Sequence, residues 1–135
     1  MAYTTQTVLE GITAGYRLLT MIDEVTPPSA EQTTVGLEVF NDMMLNLDAD
    51  GIRLGWYPQN NVANIMPLQD IDVRNVKLLL ASELANHYGI EIGQTLAAKI
   101  DAAIRQLSKR AIEYFESDLT GLPFAQGGLF GPGRI

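Results

Sequence analysis

The apolar and polar residues of this chain alternate with a helical period most clearly in the stretch that follows its first pair of prolines. At about 100° per residue, the apolar side chains there fall on one arc of a helical wheel, and acidic and amide side chains fill the other. Ser29 is suited to cap the first turn, and Gln32 completes a capping-box pattern. The pattern predicts a helix that begins at Ser29 and ends in a tight turn at Gly51. Leu45 is the apolar residue that points out of its polar face.

Two further stretches each have one apolar face. From about Thr4 to Ile22, apolar residues recur at helical spacing, and Gly15 within that stripe permits close approach of another helix. From about Thr95 to Glu116, apolar residues again define one arc, while lysine, arginine and acidic residues take the other positions. These stretches predict the first and the last of four helices.

The third predicted helix is apolar nearly all round in its middle. Asp70 or Asp72 can cap its start, it runs to about Tyr88, and Gly89 is suited to end it in the left-handed conformation. A helix that is apolar on every side is usually central, so we expect this one to contact the others. The link to the fourth helix is short, which predicts an antiparallel hairpin of the two.

Residues 52–69 lack helical periodicity and contain prolines, glycine and an Asn pair. They are typical of an extended or looping insertion with one or two short strands. Trp56 and Tyr57 lie in this insertion. Such residues either close a core or anchor a contact between subunits, and the sequence leaves both interpretations open.

The segment 117–135 is rich in glycine and proline, which denies it regular structure, yet it is too apolar for a solvated tail. It is therefore interpreted as an arm that orders on a partner. The whole pattern predicts an all-α four-helix bundle: a helical domain over 1–116 with the insertion at 52–69, followed by an extended docking arm. The residues predicted to contact a partner are, in the arm, Leu122, Phe124, Leu129, Phe130 and Ile135, and, as second choices, Leu45, Trp56 and Tyr57.

Composition narrows the chemistry. The 135 residues are the length of one domain, and the absence of cysteine excludes disulfides, thiolate metal sites and a cysteine nucleophile. A net charge of −7 argues against a protein that grips nucleic-acid phosphates, although a local basic patch is available at Lys99, Arg105, Lys109 and Arg110. No signal peptide or membrane span is evident, so we expect synthesis in a cytoplasm-like compartment.

The motifs that could carry chemistry are weak. Asn46 to Gly51 matches the first positions of a calcium-binding loop, but Tyr57 stands where the bidentate Glu is required, so a polar helix end and turn is the better interpretation. His87, the single histidine, is more typical of a packed helix end that bonds a terminal carbonyl than of catalysis. Carboxylate pairs for glycoside hydrolysis could be drawn from acids that mostly belong to solvated helix faces: Glu31, Glu38, Asp42, Glu83 and Glu116. The sequence predicts no enzyme, cofactor or metal site.

Two blocks of the sequence resemble the tail accessory factors of short-tailed phages, a family of head-to-tail adaptors also called head completion or connector proteins. The first block reads TPPSAE at 26–31, LEVFNDMM at 37–44 and DADGI at 48–52. The second reads VKLLLASELANHYG at 76–89 and is followed by an Ala-rich helix. Together they span residues from about 26 to 112. Family members commonly carry a longer β-hairpin between the blocks and a tryptophan before the turn, whereas here Trp56 follows it.

The resemblance implies a structural protein of the virion neck, made in the host bacterial cytoplasm. It implies a ring of subunits, typically twelve, in which helical bundles pack side by side below the portal protein and the C-terminal arm reaches onto the portal. Tail proteins of the nozzle, tube or fibre type would bind below. Packaged DNA would pass through the lumen without sequence-specific binding, and the acidic ring would favour passage by repelling it.

Two other function classes remain open at this level. One is a cell-wall-degrading virion enzyme of the glycosidase type, whose activity would depend on single acids. The other is a small helical regulator that binds a host protein and ignores the portal.

Overall fold

The computed structural model describes the backbone of residues 2–119 and the side chains of residues 2–112. Its helices are α1 (Val8–Leu18), α2 (Ala30–Ala49), α3 (Asp70–Tyr88) and α4 (Gln94–Leu119). No strand occurs within this described range. The prediction of an all-α fold with four helices is therefore confirmed.

The third helix, α3, lies at the centre of the fold and packs against each of the three others. All four helices contribute fully buried side chains to one core, among them Ile12, Tyr16, Phe40, Leu80, Leu84 and Leu107. Because α3 is surrounded, it buries residues on nearly every side, which explains its apolar composition. The central position predicted for this helix is confirmed.

Helices α3 and α4 form an antiparallel hairpin. Asn75 donates a hydrogen bond to Gln106 Oε1 at 3.0 Å, and Arg110 binds Asp72. Residues early in α3 thus lie beside residues late in α4. The predicted hairpin is confirmed, and the link between its helices is the short segment 89–93.

The first helix is shorter at its start than the sequence predicts. Residues 2–7 are extended and lie antiparallel to residues 64–70, with Thr4 N donating to Leu68 O at 2.9 Å. The hydroxyl of Thr7 caps α1 by accepting a hydrogen bond from a backbone N–H of the first turn. The predicted start at Thr4 is wrong because the insertion satisfies this backbone outside a helix.

The insertion is extended and turn-like but contains no strand. Its contact with the N-terminal segment includes two isolated bridges, which join Tyr3 to Gln69 and Thr7 to Ile65. The predicted extended segment is present, whereas the short strands are reduced to these two bridges. The two bridges do not join into a ladder, because between them Gln6 N donates to Thr4 Oγ1 and Leu68 N donates to Met66 O instead of bonding across the pair.

The ends of α1, α2 and α3 share a hydrogen-bond pattern in which a residue with left-handed backbone follows the last turn. Gly51 (φ 89°) and Gly89 (φ 67°) take this position after α2 and α3, as the sequence predicts. After α1 the position is taken by Thr20 at φ 57°, and the helix ends at Leu18. The predicted end at Ile22 is wrong because this turn stops the helix without a glycine.

The fourth helix runs to Leu119, beyond the predicted end at Glu116. Residues 117–119 are therefore helical, and the arm predicted from 117 does not begin before residue 120. The sequence allows the extension because the first glycine after α4 is Gly121.

Close helix contacts occur at glycines. A Cβ at Gly36 of α2 would lie 2.5 Å from Ile12 Cγ2, so any side chain at that position would displace Ile12 or move α1 and α2 apart. A Cβ at Gly15 of α1 would lie 3.1 Å from Leu84 Cδ1 of α3. The close approach predicted at Gly15 is confirmed, and the tighter one at Gly36 was not predicted.

Candidate protein-interaction site

The residues predicted to contact partners divide into two groups. Five lie outside the part of the chain that the structure describes: Leu122, Phe124, Leu129, Phe130 and Ile135. The other three lie on α2 and in the insertion. Leu45 is 53% exposed and Tyr57 is 62% exposed, so both are available for contact. Trp56 is partly buried and packs against α2.

Trp56 closes the core over α2. Its ring stacks on Phe40, with centroids 4.5 Å apart and an angle of 18° between the planes. Its indole N–H donates to Asn41 Oδ1 at 3.2 Å. The same oxygen accepts from Gln59 N at 2.9 Å, and Asn41 Nδ2 donates to Gln59 O at 2.8 Å. Core closure is thus observed for Trp56, while its contact with another subunit stays a prediction.

The backbone beside Tyr57 is held by a buried amide. Gln59 Nε2 donates to Tyr57 O at 2.8 Å, and Asn64 Nδ2 donates to Gln59 Oε1 at 3.3 Å. The phenol ring nevertheless projects into solvent. An aromatic side chain on a fixed backbone loses less conformational entropy on binding than one on a mobile loop, which suits Tyr57 to a contact surface.

A buried ion pair holds α4 on α3. Asp72 is 2% exposed, and Arg110 donates to both of its carboxylate oxygens at 3.0 and 3.1 Å. The guanidinium also donates to Gln69 Oε1 at 2.9 Å. The sequence predicted Asp70 or Asp72 as the cap of α3, but the cap position is Gln69 and Asp72 lies in the first turn, facing α4. Sequence reasoning missed the pair because its members are far apart in the chain.

A groove of about 1040 Å³ runs between the exposed side of α1, the first half of α3 and the loop before α2. Its lining includes three exposed apolar residues, Leu9, Leu18 and Val25. It also includes four cations, Arg17, Arg74, Lys77 and Lys99. The acids in the lining are Glu10 and Asp70. The groove is therefore locally positive in a chain whose net charge is −7.

The floor of the groove holds a half-buried lysine. Lys77 donates a hydrogen bond from Nζ to Gln6 Oε1, which ties α3 to the N-terminal segment. Burial lowers the pKa of Lys77 below its usual value, and the nearby charge of Glu10 partly opposes that shift. The ammonium thus lies in a less hydrated position than a surface lysine would.

The loop at the end of the groove is fixed by Asp23. Its carboxylate accepts hydrogen bonds from Val25 N at 3.0 Å and Thr26 N at 2.6 Å. Hydrogen bonds from Thr26 and from Val25 lower the pKa of Asp23. Arg17 Nε donates to Asp23 O at 3.2 Å, so α1 holds this loop. The strongly exposed Val25 is thereby presented on an ordered turn.

The basic patch predicted on the last helix is not one surface. Arg110 is bound to Asp72, and Lys99 lines the groove. Arg105 and Lys109 flank a separate shallow depression on α4. The cations of the groove come from three helices, so no local run of basic residues signals it in the sequence.

The segment that resembles a calcium loop and the single histidine both lie at helix ends. Residues 46–49 form the last turn of α2, and Asp48 faces Arg53 at 3.5 Å on the surface, so the helix end and turn predicted there are observed. His87 is exposed in the last turn of α3, with its ring edge against Tyr88 at 5.0 Å, and is less packed than predicted. Across the described residues, no three His, Cys, Asp or Glu side chains are placed to hold a metal ion.

No family model matches the chain, and no curated protein matches it. Within the described range, no helix combines the length and apolarity that crossing a membrane requires.

Proposed function

We propose that this chain is a structural head-to-tail adaptor of a short-tailed bacteriophage, which forms a ring below the portal, joins the capsid to the tail and helps retain the packaged DNA. Its resemblance to tail accessory factors lies in residues that build the scaffold. The first block supplies α2 with both of its ends, and the second supplies most of the central helix α3. An adaptor of this kind needs a rigid frame and contact surfaces, and no catalytic group.

The observation that carries the proposal is the anchoring of α4. Arg110, bound to Asp72 and Gln69, fixes the helix from which the apolar C-terminal segment continues. A docking arm acts most effectively when its base is held, because less freedom is then lost on binding. The arm residues would enter apolar pockets of the portal, and that burial would drive the contact.

The acidity of the chain supports a role in letting the packaged DNA pass through the ring without binding to it. DNA carries about one negative charge per 1.7 Å of duplex. A ring of copies with a net charge of −7 each would repel DNA in its lumen rather than bind it. Reversing acids of the lumen should slow ejection or alter genome retention, and unchanged infectivity of such phages would count against this role.

The first test measures binding to the portal protein encoded in the same genome. Native mass spectrometry of the full chain with the portal should give a complex of fixed ring stoichiometry. A truncation after Leu119 keeps all of α4 and should fail to join the portal. A full-length variant with serine in place of the four arm residues Leu122, Phe124, Leu129 and Phe130 should fail in the same way.

Matched controls separate the arm from other exposed apolar residues. Tyr3→Ser and Ile71→Ser alter exposed side chains of the described range that belong to none of the predicted contact surfaces, and they should leave portal binding through the arm intact. If the full chain ignores the portal, the adaptor function is wrong. If the truncated chain binds as the full chain does, the arm is not the docking element.

A further inference from the structure

The groove keeps a net positive charge, because the cations of its lining outnumber the acids Glu10 and Asp70. Its cations are Arg17, Arg74, Lys77 and Lys99. The two ion pairs formed among the described side chains both involve other residues. Arg74 and Lys99 are exposed, and the apolar residues beside them are exposed as well. A partner for this groove should therefore combine carboxylates with an apolar side chain.

Helix α2 presents that combination. Glu38, Asp42 and Leu45 are spaced at i, i+4 and i+7, so they share one face of the helix, and all three are exposed. Glu31 extends the same face toward the start of α2. We call these four residues the acidic stripe. None of them lines the groove, and no cation lies within ion-pairing distance of its carboxylates in the described range.

We propose that the acidic stripe of one copy occupies the groove of the next copy. Glu38 and Asp42 meet Arg74 and Lys99, while Leu45 meets the apolar lining. Because the two surfaces are different, the contact is head-to-tail. An open chain of copies then keeps one free groove at one end and one free stripe at the other until a ring closes. This pairing rests on the proposed ring and assigns the surfaces through which its copies meet.

Charge complementarity singles out a second copy as the occupant. Outside the groove, acids far outnumber cations, so two copies repel each other in most orientations. Placing the stripe in the groove brings opposite charges together and is thereby favoured over other alignments. Nucleic-acid phosphates would also meet the cations but would face the acidic remainder of the surface.

The test reverses each surface separately. One variant, Glu38→Lys/Asp42→Lys, makes the stripe basic, and the other, Arg74→Glu/Lys99→Glu, makes the groove acidic. All four side chains are exposed, and circular dichroism checks that the fold is kept. In sedimentation velocity at low salt, each variant alone should associate roughly tenfold or more weakly than the unmodified chain. The screening length is about 10 Å at 0.1 M salt and shorter above it. Association of the unmodified chain should therefore weaken when the salt is raised well above that concentration.

The decisive measurement mixes the two variants in equal amounts. The basic stripe of the first then faces the acidic groove of the second, and the acidic stripe of the second faces the basic groove of the first. Alternating assembly should therefore be restored. Two charge-matched controls, Glu83→Lys/Glu91→Lys and Arg105→Glu/Lys109→Glu, change exposed residues outside both surfaces and should associate as the unmodified chain does.

The same measurements are repeated on the portal, which can gather copies that are monomeric alone. Restoration by mixing, in either setting, supports the pairing. The pairing is wrong if both variants lose association and mixing does not restore it. It is also wrong if neither reversal changes association, or if the chain is a monomer both alone and on the portal. If the chain assembles through these surfaces but ignores the portal, the adaptor function is wrong and the pairing stands. If rings form on the portal despite both reversals, the pairing is wrong and the adaptor function stands.

Discussion

The buried pair of Asp72 and Arg110 allows a quantitative test of how α4 is held on α3. Arg110→Met removes both hydrogen bonds to Asp72 and the one to Gln69 and keeps much of the apolar stem, which leaves a carboxylate that is only 2% exposed without its cation. Breaking a buried pair from one side costs about 3–5 kcal/mol. Two features reduce that cost. The Arg110 side chain is 22% exposed, so water partly screens the pair. Asp72 lies in the first turn of α3, where the helix dipole favours a negative charge by about 0.3–1 kcal/mol. We expect a loss of about 3 kcal/mol in the free energy of unfolding.

Urea denaturation followed by circular dichroism and by the fluorescence of Trp56 measures this loss. With a urea dependence of about 2 kcal/mol per M, the midpoint should fall by roughly 1.5 M. The double variant Asp72→Leu/Arg110→Met removes both charges together. Because no unpaired carboxylate then remains, it should return to within about 1 kcal/mol of the unmodified chain.

Arg105→Met, at an exposed position of the same helix, is the matched control and should change the midpoint little. Equal losses in the single and double variants would mean that packing, rather than the unpaired charge, sets the cost. A loss below about 1 kcal/mol in Arg110→Met would refute the idea that Asp72 is desolvated.

Four further substitutions test local features. Thr20→Gly removes a side chain from a left-handed position (φ 57°) and should raise the free energy of unfolding by roughly 0.5–1 kcal/mol, whereas a lower thermal midpoint would contradict the strain. Gly36→Ala places a Cβ 2.5 Å from Ile12 Cγ2 and should destabilise by about 1–2 kcal/mol despite its gain in helix propensity. Gly15→Ala places a Cβ 3.1 Å from Leu84 Cδ1 and 3.3 Å from Leu80 Cδ2 and Cγ, contacts that small shifts of these side chains relieve, so its gain in helix propensity should offset most of the cost in urea melts. Burial and the Tyr88 hydroxyl raise the pKa of Tyr16 above its usual 10.0, so the unfolded state loses this proton first and stability falls as the pH rises above that value. Tyr16→Phe should lower the free energy of unfolding by about 1 kcal/mol at neutral pH through the lost hydrogen bond to Gln32 O. Above pH 10 its thermal midpoint should fall less steeply with pH than that of the unmodified chain. Identical slopes for the two proteins would exclude this ionisation.

Features that depend on near neighbours in the chain were predictable from the sequence. The capping box at the start of α2 forms as expected, with Ser29 Oγ accepting from Gln32 N at 3.1 Å and Ser29 N donating to Gln32 Oε1 at 2.9 Å. Gly51 and Gly89 end their helices in the left-handed conformation. The exposure of Leu45 followed from the helical wheel alone. Each of these depends on the helical period or on hydrogen bonds spanning a single turn.

The candidate surfaces were only partly predictable, because only one of them is built from near neighbours in the chain. The acidic stripe can be recognised on a helical wheel of α2. The groove cannot, because its cations are brought together from α1, α3 and α4 by packing. The sequence allows two roles for Trp56, and its stack on Phe40 depends on how the insertion folds back over α2.

The number of helices, their apolar faces and the turns that contain glycine follow from the sequence, because periodicity and capping are local. The start of α1 at Val8 does not, since pairing with residues 64–70 competes with helix there. Nor does the sequence reveal that Thr20 adopts a glycine-like conformation or that Asp72 binds Arg110 instead of capping α3. In each case a contact between distant parts of the chain outweighed the local preference, and such contacts leave no periodic trace in the sequence.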